Sequence, residues 1–218
     1  MTLKDRLLEQ GKTNWLDVGC GGNFEDGFFY LDTFPKESIT LGYRERYFDV
    51  DILNASDETL QRLGTFDLVR MQHALEHFSY EEGQQVLLNC AKLLSPDGII
   101  LITVPDLKVH VRKYLNGEYK AWEGFKWWAT KRIPEQSPDS FYFSVFAHSM
   151  SYESHKWCYD YEGLHFQLEH TKSYSNIRRL PVDDPLSSYP FTHNRPDEDL
   201  CVIASKNAAE STLCAHES

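Results

Sequence analysis

An α/β fold built on a doubly wound parallel sheet is what this sequence predicts, and three observations carry the prediction. Up to about Leu107, short apolar runs alternate with polar stretches of helical spacing, the rhythm of strands joined by crossover helices. The first run passes directly into glycines, Leu16-Asp17-Val18-Gly19-Cys20-Gly21-Gly22. At 218 residues, the chain suits one domain of this class.

Trp15 to Val18, Phe28 to Leu31, Phe66 to Met71 and Gly98 to Val104 read as buried strands, being short, apolar and bounded by Gly, Asp or Pro. Tyr47 to Val50 is a weaker fifth. Glu81 to Leu94 reads as a helix, because Val86, Leu87, Cys90, Leu93 and Leu94 recur on one side, and Ser95-Pro96-Asp97-Gly98 supplies its stop. Residues 108–159 are dense in Tyr, Trp and Phe without a clean period, which suits a cover over the sheet or the wall of a pocket. Tyr161 to His170 then reads as a helix, and Tyr174 to Leu180 and Leu200 to Ala204 as strands. The expected organisation is a single domain over 1–206, with 108–159 as an aromatic-rich insert after the fifth strand and 207–218 as a loose tail.

With 41% hydrophobic and 25% charged residues, the chain has material for a core. Its 22 Lys and Arg against 33 Asp and Glu leave a net charge of -11, a field that repels phosphate backbones and anionic membranes. Nucleic acid and membrane are therefore not expected partners. No apolar run approaches the roughly 20 residues of a span, and Met1 to Gln10 lacks the apolar stretch of a signal peptide, so a cytoplasmic location is expected. Cys20, Cys90, Cys158, Cys201 and Cys214 are odd in number and never spaced C-x-x-C, which points to ordinary thiols.

The glycine turn carries the first chemistry. Gly19 and Gly21 let the backbone turn tightly and approach a ligand closely. The second strand ends in Asp32, an acid placed to accept hydrogen bonds from both hydroxyls of a ribose. A nucleoside-shaped ligand follows. A dinucleotide fits less well, because the third glycine of a full G-x-G-x-x-G is missing.

On LDVGCGG and the acid ending the second strand, the chain resembles the class I S-adenosylmethionine-dependent methyltransferases. Asp49-Val50-Asp51-Ile52-Leu53 is similar to that family's loop beside the adenine. Phe66 to Val69 with Gln72-His73-Ala74-Leu75-Glu76-His77-Phe78 is similar to its fourth strand and following loop. LLSPDGIILITVPD is similar to its fifth strand. The set GFFYLD, HALEHF, VPDLKVHVRKYLNGE and SHKWCYDYEGL resembles, more narrowly, methyltransferases linked to polysaccharide or surface-sugar synthesis. The resemblance runs from about Asn14 to Lys206. It implies a Rossmann-like seven-stranded sheet and S-adenosylmethionine as cofactor, held by Asp17, Gly19, Gly21, Asp32, Asp51 and Gln72. It further implies a small-molecule or sugar-like acceptor, methylated at oxygen. Two departures stand out: Asn23 replaces a common glycine, and about ten residues between Gly21 and Asp32 leave little room for a first helix.

Methyl transfer from a sulfonium demands positioning and exclusion of water, with a base where the acceptor is an unactivated hydroxyl. His73, His77 and His155 are the candidate bases, since an unperturbed imidazole titrates near neutrality, and Asp106 is a candidate orienting carboxylate. Each also admits a packing or surface role, as Asp17 admits a turn-orienting role and Asp51 a solvated one. Two other functions are open. One is a catalytically silent methyltransferase-like module binding a partner through its aromatics. The other is a zinc hydrolase, because His73-Ala74-Leu75-Glu76-His77 spells H-x-x-E-H. That chemistry needs a long helix around the motif and a further ligand; neither is evident after a buried strand, so no metal is expected.

Overall fold

The computed structural model describes residues 3–117, 155–180 and 198–207. Most of the aromatic insert and all of the tail beyond Asn207 lie outside the described residues. In chain order the elements are α1 (Leu3–Glu9), β1 (Trp15–Val18), β2 (Phe28–Asp32), β3 (Tyr47–Asp49), α2 (Asp57–Leu63), β4 (Phe66–Gln72), α3 (Tyr80–Leu93), β5 (Leu94–Pro105), α4 (Leu107–Leu115), α5 (Tyr161–His170), β6 (Tyr174–Arg179) and β7 (Asp199–Lys206). Short 3-10 helices occupy Lys36–Ser38, Leu41–Arg46 and Leu75–His77. Among the described residues no helix is long and apolar enough to cross a membrane.

One seven-stranded sheet has the order β3-β2-β1-β4-β5-β7-β6. From β3 to β5 every pairing is parallel, as the alternating pattern predicts. β7, beyond the alternating segment, runs antiparallel to both β5 and β6, making the sheet mixed. Leu200 to Ala204 is buried throughout, and a strand covered on both faces looks the same in sequence whichever way it runs.

Alternation along the strands divides the core in two. Leu16, Leu31, Val69, Ile100 and Val202 face one side and pack with Val86, Leu87 and Cys90 of α3 and Leu164 and Leu168 of α5. Trp15, Phe28, Tyr30, Leu68 and Ile203 face the other, covered by Leu7 of α1 and by Ile39. Full burial of each such side chain contributes about 1.5–3 kcal/mol.

The helices begin where their caps dictate. Ser79 accepts from Glu82 N while the Glu82 side chain accepts from Ser79 N, a complete capping box, so α3 starts at Tyr80, one residue before the expected Glu81. It ends at Leu93, and Leu94 already pairs with Phe66 of β4. Ser95 to Gly98, expected as a helix stop only, continue as the irregular start of β5. Pro96 disfavours helix at Ser95. A Cβ on Gly98 would stand 2.9 Å from Ser95 O and 3.0 Å from Phe66 O, so the bulged register depends on glycine. The nine residues 19–27 between β1 and β2 form turns without a helix, as their shortness predicts.

Candidate functional site

The carboxyl ends of β1, β2, β3 and β4 lie side by side, the place where open α/β sheets hold ligands. Leaving β1, Gly19 takes φ 73° and donates its N–H to Leu31 O at 2.8 Å. A Cβ there would lie 2.5 Å from Ala74 Cβ, because the loop after β4 presses on this turn. Gly21 (φ 57°) donates its N–H to Asp32 Oδ2 at 2.9 Å, and Thr33 N–H donates to Asp32 Oδ1 at 2.7 Å. A carboxylate offers about four lone-pair sites, so Asp32 keeps acceptor capacity for two hydroxyls. Asp32 pairs in register with Asp49 and accepts Val50 N–H on its backbone oxygen, which brings the loop after β3 beside it. Asp51 is exposed there and accepts from Leu53 N–H and the Asn54 side chain. Gln72 ends β4 on the same edge.

Asp17 lies within β1 and is buried. Its Oδ2 accepts from Arg70 at 2.7 Å, and Arg70 also donates to Glu25 Oε2 at 3.0 Å and lies over the Phe28 ring. Burial raises the Asp17 carboxyl above its ordinary value, and the adjacent guanidinium pulls it back. Through Arg70, Asp17 fixes the far end of the glycine turn. Neither Arg70 nor Glu25 was expected; Arg70 stands between the apolar Val69 and Met71 in β4, and that charge was the available signal.

The loop leaving β4 gathers the expected histidines. His73 has φ 52° and donates its N–H to Thr103 O. Its Nδ1 lies 3.2 Å from Glu76 Oε1 and its Nε2 2.9 Å from Asp199 Oδ2. Burial draws the imidazole down, but the hydrogen bonds to Asp199 and Glu76 more than reverse this and push it up to about 10. His73 is thus an imidazolium between two carboxylates at neutral pH. Glu76 is 1% exposed; burial raises its carboxyl, yet the His73 hydrogen bond and the surrounding imidazoles leave it below its usual range.

His155 arrives from the far end of the insert. Lys156 and Trp157 N–H groups both donate to Glu76 O, holding residues 155–159 along the Leu75–His77 turn. His155 Nε2 lies 3.9 Å from Glu76 Oε1, and its ring meets His77 edge-on with centroids 4.9 Å apart. Glu76, His155, Trp157 and Tyr159 line one wall of a small pocket closed by Pro105, Leu107, His110 and Cys158. H-x-x-E-H does not form a zinc-protease helix: the motif spans a left-handed residue and a single 3-10 turn, and His73 is directed at Asp199.

Asp106 lies between two residues of that pocket, Pro105 and Leu107, but its carboxylate makes structural contacts. It caps α4 by accepting from Lys108 N–H, and its Oδ2 accepts from Arg179 at 2.7 Å. Asp199, which sequence reading missed, opens β7 and is 2% exposed; only the strand pairing reveals that it faces His73.

A family model described as "Methyltransferase domain" matches residues 2–175. No curated protein matches the chain at a significant level. Among solved structures, a Nostoc punctiforme PCC 73102 protein classed provisionally as an O-methyltransferase superposes with TM-score 0.53 at 15% identity. That match covers 94% of this chain and 54% of the other, so the chain spans about half that protein's length. A TehB-like SAM-dependent methyltransferase from Corynebacterium glutamicum gives 0.52 at 15% identity, covering 95% and 89%. Magnesium protoporphyrin IX methyltransferase from Synechocystis PCC 6803, solved with bound SAH, gives 0.50 at 13% identity, covering 94% and 80%. These likenesses establish the fold. With most of its length matched by the family model, and the sheet order and glycine turn described above, the chain belongs to the methyltransferase domain family.

Proposed function

We propose that the chain transfers a methyl group from S-adenosylmethionine to an oxygen of a small, sugar-like acceptor. One observation carries the cofactor reading: Asp32, tied to Gly21 N–H, presents its remaining lone pairs at the carboxyl edge of the sheet, suited to the two ribose hydroxyls. No helix follows the glycine turn before β2, so the dipole that would hold a pyrophosphate is missing there. A cofactor without phosphate suits such a turn, and a cationic sulfonium suits a chain of charge -11. The Synechocystis relative carries SAH, the demethylated form of this cofactor.

Gly19, Gly21, Asp32, Asp51 and Gln72 line the cofactor crevice, and Asp17 supports it through Arg70. On the acceptor side, Glu76, His77 and His155 form a polar group suited to a hydroxyl. In the reaction the C–S bond breaks as the new C–O bond forms, the sulfonium becomes a neutral thioether, and the hydroxyl proton leaves through this group. His73, already protonated and engaged at both nitrogens, holds Glu76 in place; Asp106 fixes the start of α4. The sugar-like class rests on the sequence resemblance and on the aromatics of the insert.

Calorimetric titration with S-adenosylmethionine and with S-adenosylhomocysteine tests the reading. Both should bind, and Asp32→Ala should weaken binding by about 1–3 kcal/mol through unpaired ribose hydroxyls. No heat with either ligand at millimolar concentration would overturn it.

A further inference from the structure

We propose that Glu76, His77 and His155 are the ligands of one divalent transition-metal ion, which would hold the acceptor oxygen. Their donor atoms all lie within 4.8 Å of one another, and His155 Nε2 reaches the Glu76 carboxylate at 3.9 Å from Oε1, the oxygen that His73 bonds. A tetrahedral zinc with bonds near 2.05 Å needs donors about 3.3 Å apart, so modest rotations of the two rings close the set.

A second observation points to a ligand independently. Among the described residues Glu76 Oε2 has no hydrogen-bond partner, although the residue is 1% exposed. A buried carboxylate oxygen left unmatched is unfavourable, and a cation beside His77 and His155 would satisfy it. The site is also built rather than accidental. His73 bonds the other Glu76 oxygen and is itself held by Asp199, the kind of outer support that orients a metal-binding carboxylate. Two backbone hydrogen bonds from Lys156 and Trp157 to Glu76 O carry His155 to the turn.

Two imidazoles and one carboxylate select zinc, cobalt, iron or manganese over calcium or magnesium. Three protein ligands leave coordination positions open for a hydroxyl, whose proton a bound cation makes easier to remove. The further ligand that the H-x-x-E-H string lacked is His155, while His73 stands outside the set. The metal site rests on its own geometry; its role toward the acceptor rests on the O-methyl transfer proposed above.

Cobalt(II) titration of chelator-treated protein, followed by visible absorption and by zinc back-titration, tests the site. One cobalt per chain with the bands of a nitrogen- and oxygen-ligated ion is expected, displaced by one zinc. His155→Ala should weaken zinc at least tenfold, and so should His77→Ala, whose partly exposed side chain makes it the safer variant for folding. Absence of stoichiometric cobalt or zinc binding to wild-type protein at about 100 µM metal would overturn the proposal. So would unchanged zinc affinity in folded His77→Ala. S-adenosylmethionine titration of the same samples separates the readings: cofactor binding without metal sinks this site alone, and metal binding without cofactor sinks the methyl-transfer reading alone.

Discussion

Asp199 Oδ2 lies 2.9 Å from His73 Nε2, joining the first residue of β7 to the residue that leaves β4 across the intervening strand β5. The antiparallel entry of β7 makes this possible, because it delivers the amino end of one strand to the carboxyl ends of its neighbours. A fully parallel sheet would put the end of β7 there instead.

Asp199→Ala should therefore loosen the loop after β4. His73 would lose one of its two carboxylates, at a cost of about 1–3 kcal/mol, while Asp199→Asn, which keeps a hydrogen-bonding group, should lose less. Urea unfolding of the three proteins measures this. Equal midpoints would mean that the pair adds nothing to stability.

Arg70 is 4% exposed and serves Asp17 and Glu25 together. Arg70→Ala leaves Asp17 buried without its counter-ion and should cost about 3–5 kcal/mol. Replacing both members by apolar residues, Arg70→Met with Asp17→Leu, should recover much of that loss, since the desolvation penalty goes with the charges. A double-mutant cycle in chemical denaturation reads the coupling; additive losses would deny it.

Gly19→Ala meets two obstacles at once: a positive φ and a Cβ set 2.5 Å from that of Ala74. Strain of this kind costs about 1–3 kcal/mol before the clash is relieved. Relief must move the β1 turn or the loop after β4, so cofactor affinity should fall alongside the melting temperature. Retention of both in thermal shift and calorimetry would contradict the close approach.

Burial pushes the Cys20 and Cys90 thiols up to about 12, and Cys158 to about 11. At pH 8 only about one part in ten thousand of a thiol at 12, and about one in a thousand of a thiol at 11, is thiolate. Alkylation at pH 8, followed peptide by peptide in a mass spectrometer, should be at least about a hundredfold slower at Cys20 and Cys90 in native protein than in denaturant. Comparable rates in the two conditions would contradict their burial.

Much of this molecule was legible beforehand where one local physical rule acts alone. The strands WLDV, FFYL and FDLVRM fall within a residue or so of their places because short apolar runs between turn residues have few other uses. The glycine turn and Asp32 likewise sit where strand-end geometry requires. Short helices such as Asp57–Leu63 were not visible, since seven residues, with only Leu60 buried, carry too little pattern. Pairings between distant segments were also hidden. Nothing in DEDLCVIA announces that Asp199 will meet His73, nor does SHKWC say that His155 will reach Glu76, because such contacts depend on how the sheet is ordered. Asp106 illustrates the reverse: its position after the fifth strand is suggestive, yet its carboxylate is used locally on Lys108 N–H and Arg179.

Asp106 and Tyr159 pair as an isolated bridge, and Leu107 N–H donates to Tyr159 O at 2.8 Å. The chain thus departs from the sheet after β5 and comes back to the same spot, like a drawstring knotted at its neck. Whatever is strung between those two points makes no demand on strand order, and doubling its length adds only about 0.6 kcal/mol of closure entropy. The sheet that carries the glycine turn and Asp32 can therefore stay constant while the stretch between those two points changes in length or sequence, a closed excursion of chain open to wholesale exchange.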